Sequence, residues 1–388
     1  MTLYDDLRDE ARRAPESGIV TVANYGWGRE GLIPLWAGEG DLPTPDFIAG
    51  PAARALENGE TFYTHQRGIP ELRAALARYH TRVFGKESSP DEYLVTGGGM
   101  QAIQMCLQAT AGAGDEVIYF SPAWPNILGA TVVDGATPVA VDLEFGDNGW
   151  ALDLDRLEAA ITNRTRVIFV NSPSNPTGWT ADTETLQRIL DMARKNGLWI
   201  IADEIYTRFF YGGKRSPSFL DIMEPEDRIV FVNTFSKNWA MTGWRIGWIK
   251  AHPSLAQMFE NLIQYSTSGV AQFMQRGAVA ALDEGDEFVN MQVARAHTAR
   301  DILCSALEST GRARISAPEG AFYLFFAVDG VTDSLAASFE IVDRARVGLA
   351  PGSAFGEGAD AYFRLCFNRR LDHIEQAAER LADWISAR

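Results

Sequence analysis

Five short, nearly continuous apolar runs, at residues 93–96, 116–120, 166–170, 198–202 and 228–232, are each separated from the next by a helix-length amphipathic stretch. Runs this short are strand-sized, and β-branched and aromatic residues dominate them. Alternation with helices is the pattern of a largely parallel sheet covered on both faces. The middle of the chain is therefore expected to be α/β. The C-terminal third reads differently: helix over 283–308, strand over 322–327, helix over 334–346, a Gly/Pro loop at 350–356, strand over 361–367 and a closing helix over 372–387. This predicts a large domain over 48–282 and a smaller α+β domain built from 1–47 and 283–388.

Composition narrows the partners. Of 388 residues, 51 are acidic and 35 basic, a formal charge of −16, which disfavours nucleic acid or an anionic membrane as the main partner. No apolar run approaches the roughly 18 residues that a membrane helix needs, and the start lacks the basic-then-apolar form of a signal peptide, so a cytoplasmic protein is expected. Cys106, Cys304 and Cys366 are far apart and have no CxxC neighbours, as for reduced packing residues. Of the histidines, His80, His252, His297 and His373 are expected on the solvated surface and only His65 near a site; none has metal spacing, so no metal is predicted. Residues 26–31 satisfy GxGxxG, but Pro34 falls where a dinucleotide-binding helix should run.

In a doubly wound sheet, ligands lie beyond the carboxyl ends of the strands. Gly97, Gly98, Gly99, Met100 and Gln101 follow the first run and open a helix, either as a phosphate cradle or as a plain tight turn. Trp124 follows the second run, as a stacking platform or a core residue. Asn175 lies in the turn-rich loop after the third. Asp203 and Glu204 leave the fourth directly, with Tyr206 next; a carboxylate at the end of a buried strand needs a partner. Asn233, Thr234, Ser236 and Lys237 follow the fifth, then Arg245. A lysine desolvated beside other cations becomes a usable amine nucleophile. One cofactor uses an anion cradle, an aromatic face, a buried carboxyl and an amine together: pyridoxal 5′-phosphate.

With these residues in view, the chain resembles the class I aminotransferases, of the aspartate aminotransferase superfamily within the fold-type I pyridoxal phosphate enzymes. The resemblance runs from GEGDLPTP at 38–45 through FYTHQRGIPELR at 62–73 to YFRL at 362–365, and SKNWAMTGWRIG at 236–247 is its most specific segment. It implies that Lys237 binds the cofactor covalently and then shuttles a proton, that Asp203 pairs with the pyridinium nitrogen, and that Asn175 and Tyr206 hydrogen-bond the ring oxygen. Trp124 would stack on the ring. The phosphate would take the backbone N–H groups of Gly99, Met100 and Gln101, the hydroxyls of Thr234 and Ser236, and Arg245, with Tyr63 supplied by the other subunit of a homodimer. Arg364 would clamp the substrate carboxylate, helped by Asn175 and the Gly38 backbone. The reaction implied is ping-pong transfer of an amino group from an α-amino acid to a 2-oxo acid.

Two departures from the family pattern bear on the donor. Some bacterial aspartate aminotransferases carry a lysine in the phosphate turn for the distal carboxylate of dicarboxylic substrates, where this chain has Met100. Tyr25 and Trp27 are expected to line the side-chain pocket, favouring a neutral or aromatic donor over aspartate, while Arg67 and Arg29 are candidates for an acidic co-substrate. The tyrosine often found shortly after the stacking aromatic is missing. A β-lyase or decarboxylase of the same fold would keep every cofactor residue. A non-catalytic regulatory module is the reading from another class, opposed by the acidic charge and the intact Lys237.

Overall fold

A computed structural model describes residues 2–388. All five apolar runs are strands of one eight-stranded sheet, in the spatial order Tyr93–Thr96, Gly247–Lys250, Ile229–Thr234, Trp199–Asp203, Thr165–Asn171, Glu116–Ser121, Thr137–Gly146, Gly149–Leu152. The central pairings are parallel and the outer ones antiparallel. The runs are continuous because both faces are buried. Val117, Tyr119, Val167, Phe169, Ile201, Val230 and Val232 pack into a cluster with Ala102 and Ile103 on one side. Their neighbours Ile118, Phe120, Ile168, Val170, Ile200, Ala202 and Phe231 pack with Leu186, Ile189 and Phe219 on the other.

The strand Gly247–Lys250 was not among the expected elements. It is four residues long and enters antiparallel between the first and fifth runs, pairing Gly247 with both Thr96 and Thr234. Its direction matters, because the start of this strand lies at the same sheet edge as the ends of its neighbours. Arg245, two residues upstream, is delivered to that edge by this reversal.

The remaining chain forms a four-stranded antiparallel sheet in the order Ala313–Arg314, Tyr323–Val328, Tyr362–Cys366, Ala350–Pro351. The helices Asp286–Glu308, Ser334–Arg344 and Leu371–Ser386 contribute residues to its main core. The helix expected from residue 283 is divided, since Gln272–Glu284 and Asp286–Glu308 meet at Gly285. There an added Cβ would lie 2.3 Å from the Ala281 carbonyl and 2.4 Å from Trp239 Nε1, so only glycine fits. The N-terminal segment joins this part of the chain through the parallel pairing of Ile33 with Val347 and Pro34 with Gly348.

The three cysteines are buried and unbonded. His80 corrects the surface expectation. It is 2% exposed, stacked on Phe84 at 5.1 Å, and accepts a hydrogen bond from Trp248 Nε1 at 3.2 Å. Burial pushes its imidazole down to about 3, with the Lys250 charge adding to the effect, so it is a neutral core residue. Among the described residues no helix is long and apolar enough to cross a membrane, and no His/Cys/Asp/Glu cluster has metal-binding form.

Candidate active site

The strand register brings the polar residues together. Asn171 pairs with Asp203 and Asp203 with Val232, while Thr234 and Thr96 flank Gly247, so these residues share one edge of the large sheet. Beyond that edge is a cavity of about 430 Å³. Of the residues expected at the site, Gly38, Gly99, Met100, Trp124, Asn175, Asp203, Tyr206, Thr234, Ser236, Lys237, Arg245 and Arg364 all line it.

Its anion end is built from backbone and one cation. Gly98 caps the helix Gly99–Thr110 at φ 91°, a conformation that favours glycine. An added Cβ there would stand 2.6 Å from Arg245 Nη2. Gly247 is also obligatory, since its Cβ would lie 2.7 Å from the Asn233 carbonyl and 3.1 Å from Gly99 N. Arg245 itself sits at φ 51° and donates to the Thr242 carbonyl at 2.7 Å. Thr234 Oγ1 lies 2.9 Å from Ser236 Oγ and accepts from Ser236 N at 3.1 Å. Helix N–H groups, two hydroxyls and a guanidinium thus meet at one point, the requirements of a phosphate.

Deeper in, Lys237 Nζ donates to the Gly38 carbonyl at 2.7 Å. Burial pushes the amine down to about 8 from its ordinary 10.5, with Arg364 and Arg245 acting in the same direction and Cys366 and Glu39 against it. Asp203 is buried and pushed up to about 7 by desolvation, opposed by the Ile205 N–H and the Lys237 charge. Its neighbour Glu204 faces away, bonded to Ser218 Oγ and Phe219 N, as a structural carboxyl would be. Arg364 is 2% exposed. Its guanidinium donates to Asn175 Oδ1 at 3.1 Å and to the Trp36 carbonyl. It lies over the rings of Tyr323 and Phe355 at 4.7 and 4.9 Å. Its Nε is buried without a hydrogen-bond partner, and among the described residues no carboxylate pairs with it. A buried guanidinium without a counter-ion is costly, and an anion brought to it would offset that cost.

Other expectations fare differently. Tyr25 and Trp27 do not line the cavity. Tyr25 donates to Asp343 Oδ2 at 2.9 Å, Trp27 is 81% exposed, and Ile19 and Trp36 take the expected place of both. The helix Gly18–Gly26 buries Val22 and Gly26; Tyr25 borders that stripe with its ring 4.7 Å from Phe339, and Trp27 caps the helix end. Arg29 is paired with Asp343, and Arg67 donates to the Asp91 carbonyl at 2.7 Å. The Gln101 side chain, whose backbone N–H was the expected contact, accepts from Gly97 N and donates to Ser266 and Thr267, outside the cavity lining. Tyr63 is 92% exposed and His65 is also exposed, both outside this chain's cavity. Sequence reasoning missed Trp36, Asn171, Ile19, Asn126 and Tyr323. Tyr323 reads as the start of a core strand, and nothing local marks its hydroxyl as a neighbour of Tyr206.

A half-buried lysine beside a buried carboxyl and an anion cradle is the donor set of a pyridoxal phosphate enzyme, and the residues present fit that group. A Cβ at Gly98 or Gly247 would close the cradle, Arg245 has no carboxylate partner among the described residues, and Asp203 is a buried carboxyl. Comparison with known proteins specifies the family. Residues 30–381 match the model of aminotransferase class I and II, and the chain belongs to that family of pyridoxal phosphate-dependent aminotransferases. It is 34% identical over 359 residues to an aspartate aminotransferase of Thermotoga maritima, covering 92% of this chain and 93% of that one. It is 31% identical over 379 residues to aromatic-amino-acid aminotransferase 2 of Thermococcus litoralis, covering 97% of both. Among solved structures, alanine aminotransferase from Pyrococcus furiosus superposes with a TM-score of 0.91 at 26% identity, covering 98% of this chain and all of that one.

Proposed function

We propose that this aminotransferase takes a neutral or aromatic α-amino acid as donor and passes its amino group to a 2-oxo acid by a ping-pong mechanism, as one of two identical subunits. The observation that carries the reading is the Arg364 guanidinium, buried, without a carboxylate partner and in the same cavity as Lys237. It supports binding of an α-carboxylate beside the amine.

Each role follows from the chemistry of the side chain. Pyridoxal phosphate, when bound, supplies an aldehyde for the amine and a ring that withdraws electrons from the substrate Cα. Lys237, with its proton affinity lowered by burial, is the amine that binds it and afterwards the base and acid at the substrate Cα. Asp203 keeps a proton on the ring nitrogen, since a buried carboxylate gains most from an adjacent cation. Asn175 and Tyr206 serve the ring oxygen, and Trp124 offers its face to the ring. Gly99, Met100, Gln101, Thr234, Ser236 and Arg245 hold the phosphate, with Tyr63 of the second subunit. Arg364, Asn175 and Gly38 orient the amino acid. The division into 48–282 and 1–47 with 283–388 puts this site between two bodies, a reading supported by the pairing of Ile33 with Val347.

The donor preference no longer rests on Tyr25 and Trp27. It rests on the side-chain end of the cavity, where Ile19, Trp36, Met100 and Asn126 are found. Among the described residues, Lys237, Arg245 and Arg364 are the only cations lining the cavity, and each already has a role. The relatives span aspartate, aromatic and alanine enzymes by name, so the panel of donors decides. Incubation of the holoenzyme with single amino acids plus 2-oxoglutarate should form glutamate fastest with neutral or aromatic donors. Fastest transfer from aspartate overturns the donor assignment, and release of ammonia without an acceptor overturns transfer in favour of lyase chemistry.

A further inference from the structure

Tyr323 joins three parts of the cavity. Its hydroxyl is 2.7 Å from that of Tyr206, and its ring lies under the Arg364 guanidinium at 4.7 Å. A Cβ at Gly38 would come within 2.4 Å of the same hydroxyl, so the phenol is wedged between the backbone that accepts from Lys237 and the phenol of Tyr206. Both tyrosines are about 1% exposed or less, and their rings meet edge-on at 5.6 Å.

The hydrogen-bond direction follows from counting protons. Each hydroxyl has one. Tyr206 is the only hydrogen-bond partner of the Tyr323 hydroxyl among the described residues. Within the pair alone either hydroxyl could donate, since both line the cavity. With the Tyr206 proton given to the ring oxygen, as proposed above, Tyr206 has only lone pairs left for its neighbour, so Tyr323 donates and Tyr206 accepts. The same residue presents an aromatic face to a guanidinium that has no anionic partner of its own, the geometry of a cation–π contact.

We infer that Tyr323 is a positioning residue with two separable tasks: its hydroxyl directs the Tyr206 proton toward the cofactor's ring oxygen, and its ring holds Arg364 in the plane that receives the substrate carboxylate. The inference rests on the roles proposed above for Tyr206 and Arg364. The groups facing this pair are Asp203, Arg364 and Cys366, with Lys237 nearby. None of them replaces the bond between the two hydroxyls.

Tyr323→Phe removes the hydroxyl and keeps the ring; Tyr323→Leu removes both. The test is a pH titration of the absorbance of the lysine-bound cofactor, with steady-state kinetics alongside. A weakened Tyr206 donor leaves the ring oxygen to share the proton on the lysine-bound nitrogen, so both variants should titrate higher by about half a pH unit or more. KM for the amino acid and the 2-oxo acid should stay within about twofold in Tyr323→Phe and rise roughly 3- to 10-fold in Tyr323→Leu. The double variant Tyr206→Phe/Tyr323→Phe should titrate like Tyr206→Phe alone, because the hydroxyl acts through Tyr206. An unmoved midpoint in Tyr323→Phe, additive shifts in the double variant, or equal KM values in Tyr323→Phe and Tyr323→Leu overturn the inference. An unmoved midpoint in Tyr206→Phe overturns the proposed role of Tyr206 and this inference together.

Discussion

Lys237 Nζ and the Gly38 carbonyl are 2.7 Å apart although 199 residues separate them in the chain. The amine comes from the turn after the strand Ile229–Thr234, and the carbonyl from the N-terminal segment that follows the pairing of Ile33 and Pro34. A buried amine is thereby held by one neutral acceptor and no carboxylate, which leaves it available for covalent chemistry. Lys237→Ala should lose the absorbance of the bound cofactor and reduce transfer by more than about 1,000-fold. In the cofactor-free protein the amine's proton affinity is lowered on folding, so the unfolded chain binds more protons between about pH 8 and 10.5 and stability rises with pH across that window. Thermal melts of the apoprotein should show this rise in the parent and its loss in Lys237→Ala.

Asp203 has the opposite sign. Its carboxyl is raised from 3.8 to about 7, so the folded state holds the extra proton and stability falls as pH rises through that interval. Asp203→Asn should therefore melt higher than the parent at pH 8 without cofactor. The same substitution should lower kcat/KM by roughly 100-fold or more, because a neutral amide does not hold the ring-nitrogen proton.

Removing the guanidinium in Arg364→Ala leaves Asn175 Oδ1 and the Trp36 carbonyl without their donor and, on the proposed role, the substrate carboxylate without its partner. KM for every amino acid and 2-oxo acid should rise by a factor equivalent to about 2 kcal/mol or more. Arg364→Lys should recover only part of this, since an ammonium lacks the planar fork.

Met100 sits in the anion turn, with Asn126 Nδ2 at 3.6 Å from its sulfur. Met100→Lys adds a cation to a side-chain end that lacks one. The ratio of kcat/KM for aspartate over alanine should increase by about tenfold. An unchanged ratio in a stable holoenzyme would place distal-carboxylate recognition elsewhere.

Gly98→Ala tests the cradle. With φ at 91° and a Cβ 2.6 Å from Arg245 Nη2, alanine must displace either the turn or the guanidinium. Cofactor affinity, read by fluorescence titration of the apoprotein, should fall by about 10-fold or more while the melt of the apoprotein falls by a few degrees at most.

The large sheet was legible because its strands are buried on both faces, and a two-sided strand must be apolar throughout, as in residues 116–120 and 166–170. The polar residues of the cavity rim were legible for the related reason that a polar side chain ending such a run, like Asp203 or Thr234, has no packing role there. The strand Gly247–Lys250 escaped, though no shorter than Tyr93–Thr96, because it opens on a glycine and closes on a lysine and so shows only two apolar residues. Tyr25 and Trp27 were misjudged because a helix face is settled by what packs on it, and here Phe339 and Asp343 draw Tyr25 away from the cavity.

By itself, then, the sequence determined the α/β core, the sheet edge where chemistry gathers, and the amine, carboxyl and guanidinium placed there, since burial of apolar runs forces their polar ends to one rim. Tertiary structure alone decided which side chains close the cavity. Trp36, Ile19 and Tyr323 arrive from segments remote in the chain, and their positions depend on how the N-terminal segment and the antiparallel sheet pack against that rim. No local pattern encodes such a meeting, because it is made by contacts between elements and not within them.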